Sequence, residues 1–224
     1  MSTDSPVAGH AVGIDLGARD LWIVMLSGTT RPYVQLSEHL GSSDLEQLRM
    51  LLGGVATVAI DAPESLSAGS HIGDARLARK FQRARCSEVA LRTRGIAVPF
   101  ATPMPGETVP TWMLTGFATW QAARDAAPRV VETFPHGIFW QLAGRPLLHK
   151  QRPEGRAARR EALARVIDLP VGVDYWPHDA LDATACAFVA WQLDRGEAER
   201  ISCVDDSEWT AHDGSEMWLA GASA

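Results

Sequence analysis

The sequence predicts an α/β domain built on a mixed five-stranded sheet that opens with an antiparallel hairpin and carries helices on both faces. Three observations predict it. Two short runs rich in Val, Ile and Leu, Ala11–Leu16 and Leu21–Leu26, are separated only by Gly17-Ala18-Arg19-Asp20, which reads as a hairpin. Helical and strand patterns then alternate to the end of the chain. The 224 residues are 46% hydrophobic, enough for a sizeable core and against disorder.

The elements follow in order. Residues 1–10 read as a loose leader. After the hairpin, Pro32–Glu38 alternates weakly and is a third strand. Ser43-Asp44 is placed to cap a helix over Leu45–Leu52, which Gly53-Gly54 ends. Val55–Ile60 is a fourth strand, stopped by Asp61-Ala62-Pro63. Asp74–Leu91 has helical spacing, with Ala75, Ala78, Phe81 and Val89 facing inward. Gly95–Pro110, rich in Pro and Gly, is a long structured loop of the kind that often carries function. Thr111–Ala126 is helical, Arg129–Phe134 a fifth strand, and helices follow near His136–Ala143, Gly155–Ile167 and Asp179–Leu193. One domain over residues 11–195 is expected. An acidic segment over 196–224 follows, with Met217-Trp218-Leu219 as a final edge strand packed on the domain.

Charge is unevenly spread. The net −6 is matched by the segment from Asp194 to Ala224, with eight acids and two bases. Arg76–Arg94 holds seven bases to one acid, and Lys150–Arg165 six to two. Such clusters suit phosphates, although each alone reads first as a solvated helix face. Arg156, Arg159 and Arg160 are placed either to grip a phosphate backbone or to be covered by the acidic tail. Three cysteines without metal-ligand spacing, no secretory leader and no apolar run of membrane-spanning length predict a cytoplasmic protein with no membrane contact. Cys86, within an arginine-rich stretch, reads as a buried small residue, because the sequence places no His or Asp partner beside it. His71 and His136 join no recognisable triad. Trp112, Trp120, Trp140 and Trp191 read as core or interface side chains rather than platforms for bases.

The acids carry the chemistry. The first strand ends at Asp15, the fourth at Asp61, the fifth carries Glu132, and the last long helix opens with Asp179 and Asp182 on one face. Each has a bland reading as a turn former, an ion-pair partner or a helix cap. Together, at one edge of a sheet, they would repel and raise one another's pKa. A hard divalent ion, Mg²⁺ or Mn²⁺, relieves that repulsion. Two such ions about 4 Å apart suit phosphodiester cleavage.

Five motifs occur in order: Gly13-Ile14-Asp15; Ile60-Asp61-Ala62-Pro63; Arg85-Cys86-Ser87-Glu88 with Leu91-Arg92; Glu132-Thr133-Phe134-Pro135; and Asp179-Ala180-Leu181-Asp182-Ala183. In them the chain resembles the family catalogued as domain of unknown function 429, whose members are predicted nucleases with an RNase H-like fold. The resemblance runs from about residue 11 to 195. It implies Asp15, Asp61 and an acid of the last helix, Asp182 or Asp179, as metal ligands, and Glu132 as a further ligand or nearby base. It also implies Arg85, Arg92 and Lys150 as residues facing the substrate. The substrate class is nucleic acid or a small phosphoester. The chain departs from the family's paired aspartates in carrying His178-Asp179, which weakens the assignment of Asp179 relative to Asp182.

Two rival readings stay open. Gly-Ile-Asp-Leu-Gly followed by a hairpin also opens the sugar-kinase, heat-shock and actin-like ATPases. Their fold needs well over 300 residues, against 224 here, so this chain would be a nucleotide-binding half-fold. The other is a non-catalytic RNase H-like binding or regulatory module. The sequence leaves homo-oligomerisation open.

Overall fold

A computed structural model describes residues 10–99, 101–203 and 213–221. The leader expected over residues 1–10, apart from His10, and the middle of the acidic segment lie outside the described residues. The core is one five-stranded sheet in the order β3-β2-β1-β4-β5. β1 (Ala11–Leu16), β2 (Asp20–Ser27) and β3 (Tyr33–Gly41) run antiparallel in sequence. β4 (Thr57–Asp61) joins the other edge of β1 in parallel, and β5 (Arg129–Glu132) joins β4 in parallel. This mixed order, opened by an antiparallel hairpin, is the five-stranded sheet that the sequence predicts.

Strict alternation along β1 sorts its side chains between two cores. Val12 and Ile14 pack with Ile23, Val58 and Ile60 under α1 (Leu45–Leu52) and α3 (Thr111–Ala126). Ala11, Val24, Leu26 and Ala59 face the other helices: α2 (Cys86–Thr93), α4 (Pro135–Ala143), α5 (Pro153–Ala164) and α6 (His178–Leu193). α6 is buried along nearly its whole length because it lies centrally across β1, β2 and β4, with α4 and α5 on its flanks. Its Ala-rich face lets it approach closely. A Cβ on Gly13 would stand 2.1 Å from both the Ala183 carbonyl oxygen and the Ala187 amide nitrogen. Glycine at position 13 is therefore what allows helix and strand backbones to touch.

Local chemistry sets the boundaries. α1 covers the expected residues, but Asp44 does not cap it: its carboxylate turns back to accept from the Gly41 amide at 3.1 Å. Pro135 starts α4 at its first turn, where a missing N–H costs nothing. Gly144 ends it in the left-handed conformation at φ 65°.

One helix departs from expectation. The spacing predicts Asp74–Leu91, yet only Cys86–Thr93 is α-helical, preceded by a 3₁₀ turn at Phe81–Arg83. Ala75 and Ala78, expected inward, are exposed, and Phe81 is half-buried. Polar side chains take up the backbone there instead. Asp74 bonds the Arg76 amide and guanidinium, and Gln82 donates to the carbonyls of Asp74 and Leu77. The true start is Arg85-x-x-Glu88, in which the Glu88 carboxylate reaches back to accept from the Arg85 amide at 3.0 Å, the acidic half of a capping box.

In the C-terminal segment, β6 (Glu199–Ile201) and β7 (Met217–Leu219) pair with each other antiparallel. β7 touches the main sheet through a single bridge, Trp218 to Thr133 just past β5. Among the described residues no helix is long and apolar enough to cross a membrane.

Candidate metal centre at the ends of parallel strands

Register, rather than proximity in sequence, builds this site. Asp15 and Asp61 are direct partners across the parallel β1–β4 pair. Neighbouring strands lie about 4.8 Å apart and paired side chains share a face, so the two carboxyls stand side by side and share a hydrogen bond. They face α6, whose second turn brings Asp182 over them. Asp15 and Asp182 are each 3% exposed. The Asp182 carboxylate accepts from Lys150 Nζ at 2.7 Å, and Arg159 Nε lies 3.9 Å away on its other side. Lys150 Nζ also lies 3.9 Å from Asp179, while His178 Nδ1 is 2.5 Å from that same carboxylate.

The electrostatics follow from crowding in a place short of water. Burial raises the Asp15 carboxyl well above the usual carboxylate range, and Asp182 and Asp61 raise it further. Burial, then Asp182, lift Asp61 to about 7, against the pull of Lys150 and of its bond to Asp15. Burial also raises Asp182, although Lys150, Arg159 and His178 oppose the shift. Lys150 is pushed further up, because the attraction of Asp182, Asp15 and Asp61 outweighs its own desolvation. Lys150 and, at 3.9 Å, Arg159 stand against three carboxylates, so acids outnumber bases. Oxygen donors with that residual charge fit a hard divalent cation. His178, Asp179 and Asp182 offer a further donor set, with ligand atoms all within 4.8 Å of one another.

The raised Asp61 carboxyl has a consequence for stability. Its folded pKa lies above its unfolded value, so the stability it contributes is full below about pH 4 and is lost as pH rises through about 7. In chelator, the wild-type melting temperature is expected to fall more between about pH 5 and about pH 8 than that of Asp61→Asn. Thermal melts of the two proteins at both pH values check it; parallel shifts would contradict it.

Glu132 registers with Ile60, one residue out of phase with Asp61, yet its side chain lines the same cleft and its charge acts on Asp61. There it is clamped by Arg85, whose Nη1 and Nη2 donate to its two oxygens at 2.6 and 2.5 Å. Its carboxyl is raised by burial, with Arg85 pulling against that. Arg85 is 2% exposed, also meets Glu88 at 3.4 Å, and donates from Nε to Thr102. Glu88 in turn accepts from the amide and hydroxyl of Thr102, which fixes the long loop to α2. Arg92 is exposed on the far side of α2 and does not line the cleft.

A cleft of about 750 Å³ opens beside the acids. Asp61, Asp182 and Lys150 stand on its wall with Arg85 and Glu132, and Ala97, Val98 and Pro99 of the long loop close one side. Trp112 also lines it, unlike Trp120, which is core with its indole N–H bonded to the Ala62 carbonyl at 3.1 Å. Three of its residues were weakly signalled or missed by sequence reasoning. His136, at the first turn of α4, lines the cleft and is held below its usual pKa by burial and then by Arg159. Arg159 turns inward instead of gripping a phosphate backbone: it is 3% exposed and bonds the carbonyls of Leu148 and Gly155. His149 lies beside Lys150 on the wall. The acidic tail does not cover the α5 arginines among the described residues. Arg160 pairs with Asp174 at 2.9 Å, and Asp213 goes to the start of α2 instead. The first basic cluster is also largely paired: Arg76 with Asp74, Arg83 with Glu107, Arg94 with Glu199.

The Thermus thermophilus RuvC structure aligns at a TM-score of 0.41 and 15% identity, over 84% of this chain and 96% of that one. T. thermophilus RuvC in complex with Holliday junction substrate aligns at 0.39 with the same identity and coverage. No curated protein matches. Residues 113–208 match the model of the family described as "Protein of unknown function (DUF429)", the family that the motifs of the sequence resemble.

Proposed function

We propose that the protein is a metal-dependent phosphodiester hydrolase acting on nucleic acid or a smaller phosphoester. The observation that carries this reading is the register pair Asp15–Asp61 at the ends of parallel strands, with Asp182 above it and a cleft alongside. Asp15 and Asp61 would hold Mg²⁺ or Mn²⁺, with Asp182 and Asp179 as further ligands. A cation so held supplies an acidified water and charge stabilisation for a phosphate.

The chain's own residues do the rest. Lys150, 36% exposed at the cleft wall, balances the acids from one side and presents its ammonium to an incoming phosphate. His136, its pKa lowered by burial and then by Arg159, would serve as a proton acceptor within the same cleft. Arg85 and Glu132 hold the wall in place through their own pairing, so they position the cleft and do not ligate. Met217 and the loop at 97–99 narrow it with apolar surface.

The test is hydrolysis by the full chain of single- and double-stranded DNA, of RNA and of a chromogenic phosphodiester, with Mg²⁺, Mn²⁺ or chelator. Metal-dependent cleavage of at least one substrate is expected. Asp15→Asn and Asp61→Asn should each lower the rate by more than the roughly 10–100-fold seen when only a supporting partner of a metal ligand is lost. Folded wild-type protein inert on every substrate, or variants as active as wild type, would make this a binding module.

A further inference from the structure

Away from the acids, three side chains distant in sequence converge at the start of α2. Cys86 Sγ lies 3.3 Å from His71 Nε2, and Cys203 Sγ lies 4.0 Å from that same nitrogen. All three ligand atoms fall within 4.8 Å of one another. Each residue is buried, at 3% exposure or less. Asp213 lies beside the group: its carboxylate accepts from the Cys86 amide at 3.1 Å and also stands against the Cys86 thiol.

We propose that Cys86, Cys203 and His71 form a structural site for zinc. Zinc–sulfur and zinc–nitrogen bonds of about 2.3 and 2.1 Å at the tetrahedral angle put sulfur and nitrogen roughly 3.6 Å apart. The observed 3.3 and 4.0 Å bracket that value. Two sulfurs and an imidazole select a soft or borderline ion, whereas the all-oxygen set around Asp15 and Asp61 selects a hard one. The two sites would therefore load with different metals.

The surroundings explain what such a site would do. Residues 62–80 contain no helix or strand, and the C-terminal segment carries only the short β6–β7 pair among its described residues. The cluster ties one residue of that loop, the first residue of α2 and the segment beyond β6 to a single point. Zinc contributes folding free energy where little core is available. The start of α2 also favours a thiolate, because the helix dipole and free amides stabilise negative charge there. Loading is balanced by proton release. One Zn²⁺ replaces the thiol protons of Cys86 and Cys203, including the one that bonds the Cys86 carbonyl, and two protons leave to solvent.

This inference does not depend on hydrolysis and is tested without it. Full-length protein purified without chelator is expected to carry one zinc per chain by atomic emission. Exchange into Co²⁺ should give the thiolate-to-cobalt charge-transfer band of a tetrahedral site. Cys203→Ala should lose that band, whereas Asp61→Asn, altered only at the oxygen site, should keep it. After chelation and denaturation all three thiols should react with a thiol reagent. Protein without zinc and without a cobalt–thiolate band overturns the site, and so does a single reactive thiol, which would mean a Cys86–Cys203 disulfide. Both readings use wild-type protein, so they stand even if the variant fails to fold.

Discussion

Gly13→Ala is expected to destabilise the protein by roughly 3 kcal/mol or more, the upper part of the range for overpacking. The reason is geometric. The new methyl would meet Ala183 O and Ala187 N, each at 2.1 Å, and both belong to the α6 backbone. A side chain in the way can change rotamer; a helix backbone cannot. The whole of α6 must lift from β1, and it carries a large part of the core on that face. For a protein of this size each kcal/mol moves the melting temperature by about 2–4 °C, so a loss of about 10 °C is expected. Gly54→Ala is the internal control. Gly54 has φ +83° but nothing within 4 Å of its Cβ position, so its cost is the conformational one alone, about 1 kcal/mol. Equal melting temperatures for the two variants would contradict the close approach. Because α6 also carries Asp182, Gly13→Ala protein that still folds should bind Mn²⁺ more weakly, as titration calorimetry would read. The glycine of the opening motif thus acts two steps away: it sets helix height, and helix height sets how near Asp182 comes to Asp15.

How much of this was legible in the sequence depended on range. The hairpin, α1, α3 and α6 follow from local periodicity and were read to within a few residues. Asp15 and Asp61 could be placed at strand ends because each directly follows an apolar run. That they are partners is a fact of parallel register, which no local pattern encodes. Glu132 shows the limit. It also sits at a strand end, yet it is one residue out of phase with Asp61 and is taken up by Arg85. The helix expected from Asp74 failed because alanines at helical spacing look apolar, whereas Asp74 and Gln82 satisfied the backbone in turns. Arg85-x-x-Glu88 begins α2 through the Glu88 carboxylate alone, and an arginine at the N-cap gives no recognisable start signal. His71, Cys86 and Cys203 lie too far apart along the chain to form a spacing motif, so only the fold could assemble them.

Arg85→Met is expected to cost about 3–5 kcal/mol, the range for breaking a buried ion pair from one side. The arginine is the counterion of two buried carboxylates, Glu132 and Glu88, exposed 4% and 2% respectively. Methionine fills much of the volume but leaves both charges in a site from which water is excluded. Glu88 keeps the amides of Arg85 and Thr102 as donors; among the described residues Glu132 keeps only the Glu64 amide at 3.0 Å. The larger share of the loss should therefore trace to Glu132. Adding Glu132→Gln to Arg85→Met is expected to recover more than half of it. The sign of the pH dependence follows. Glu132 already has a raised folded pKa, and Arg85 is what holds it down, so removing Arg85 raises it further. A raised carboxyl contributes stability at low pH and loses it as pH rises. The deficit of Arg85→Met relative to wild type should then be larger at about pH 8 than at about pH 5, as denaturant melts at the two values would show. The same measurements separate the two roles open to this residue. An arginine whose main task was to grip substrate phosphate would leave the melting curve unchanged on substitution and weaken only substrate binding. An arginine that holds the cleft wall through Glu132 lowers stability first, in a pH-dependent way that the second substitution reverses.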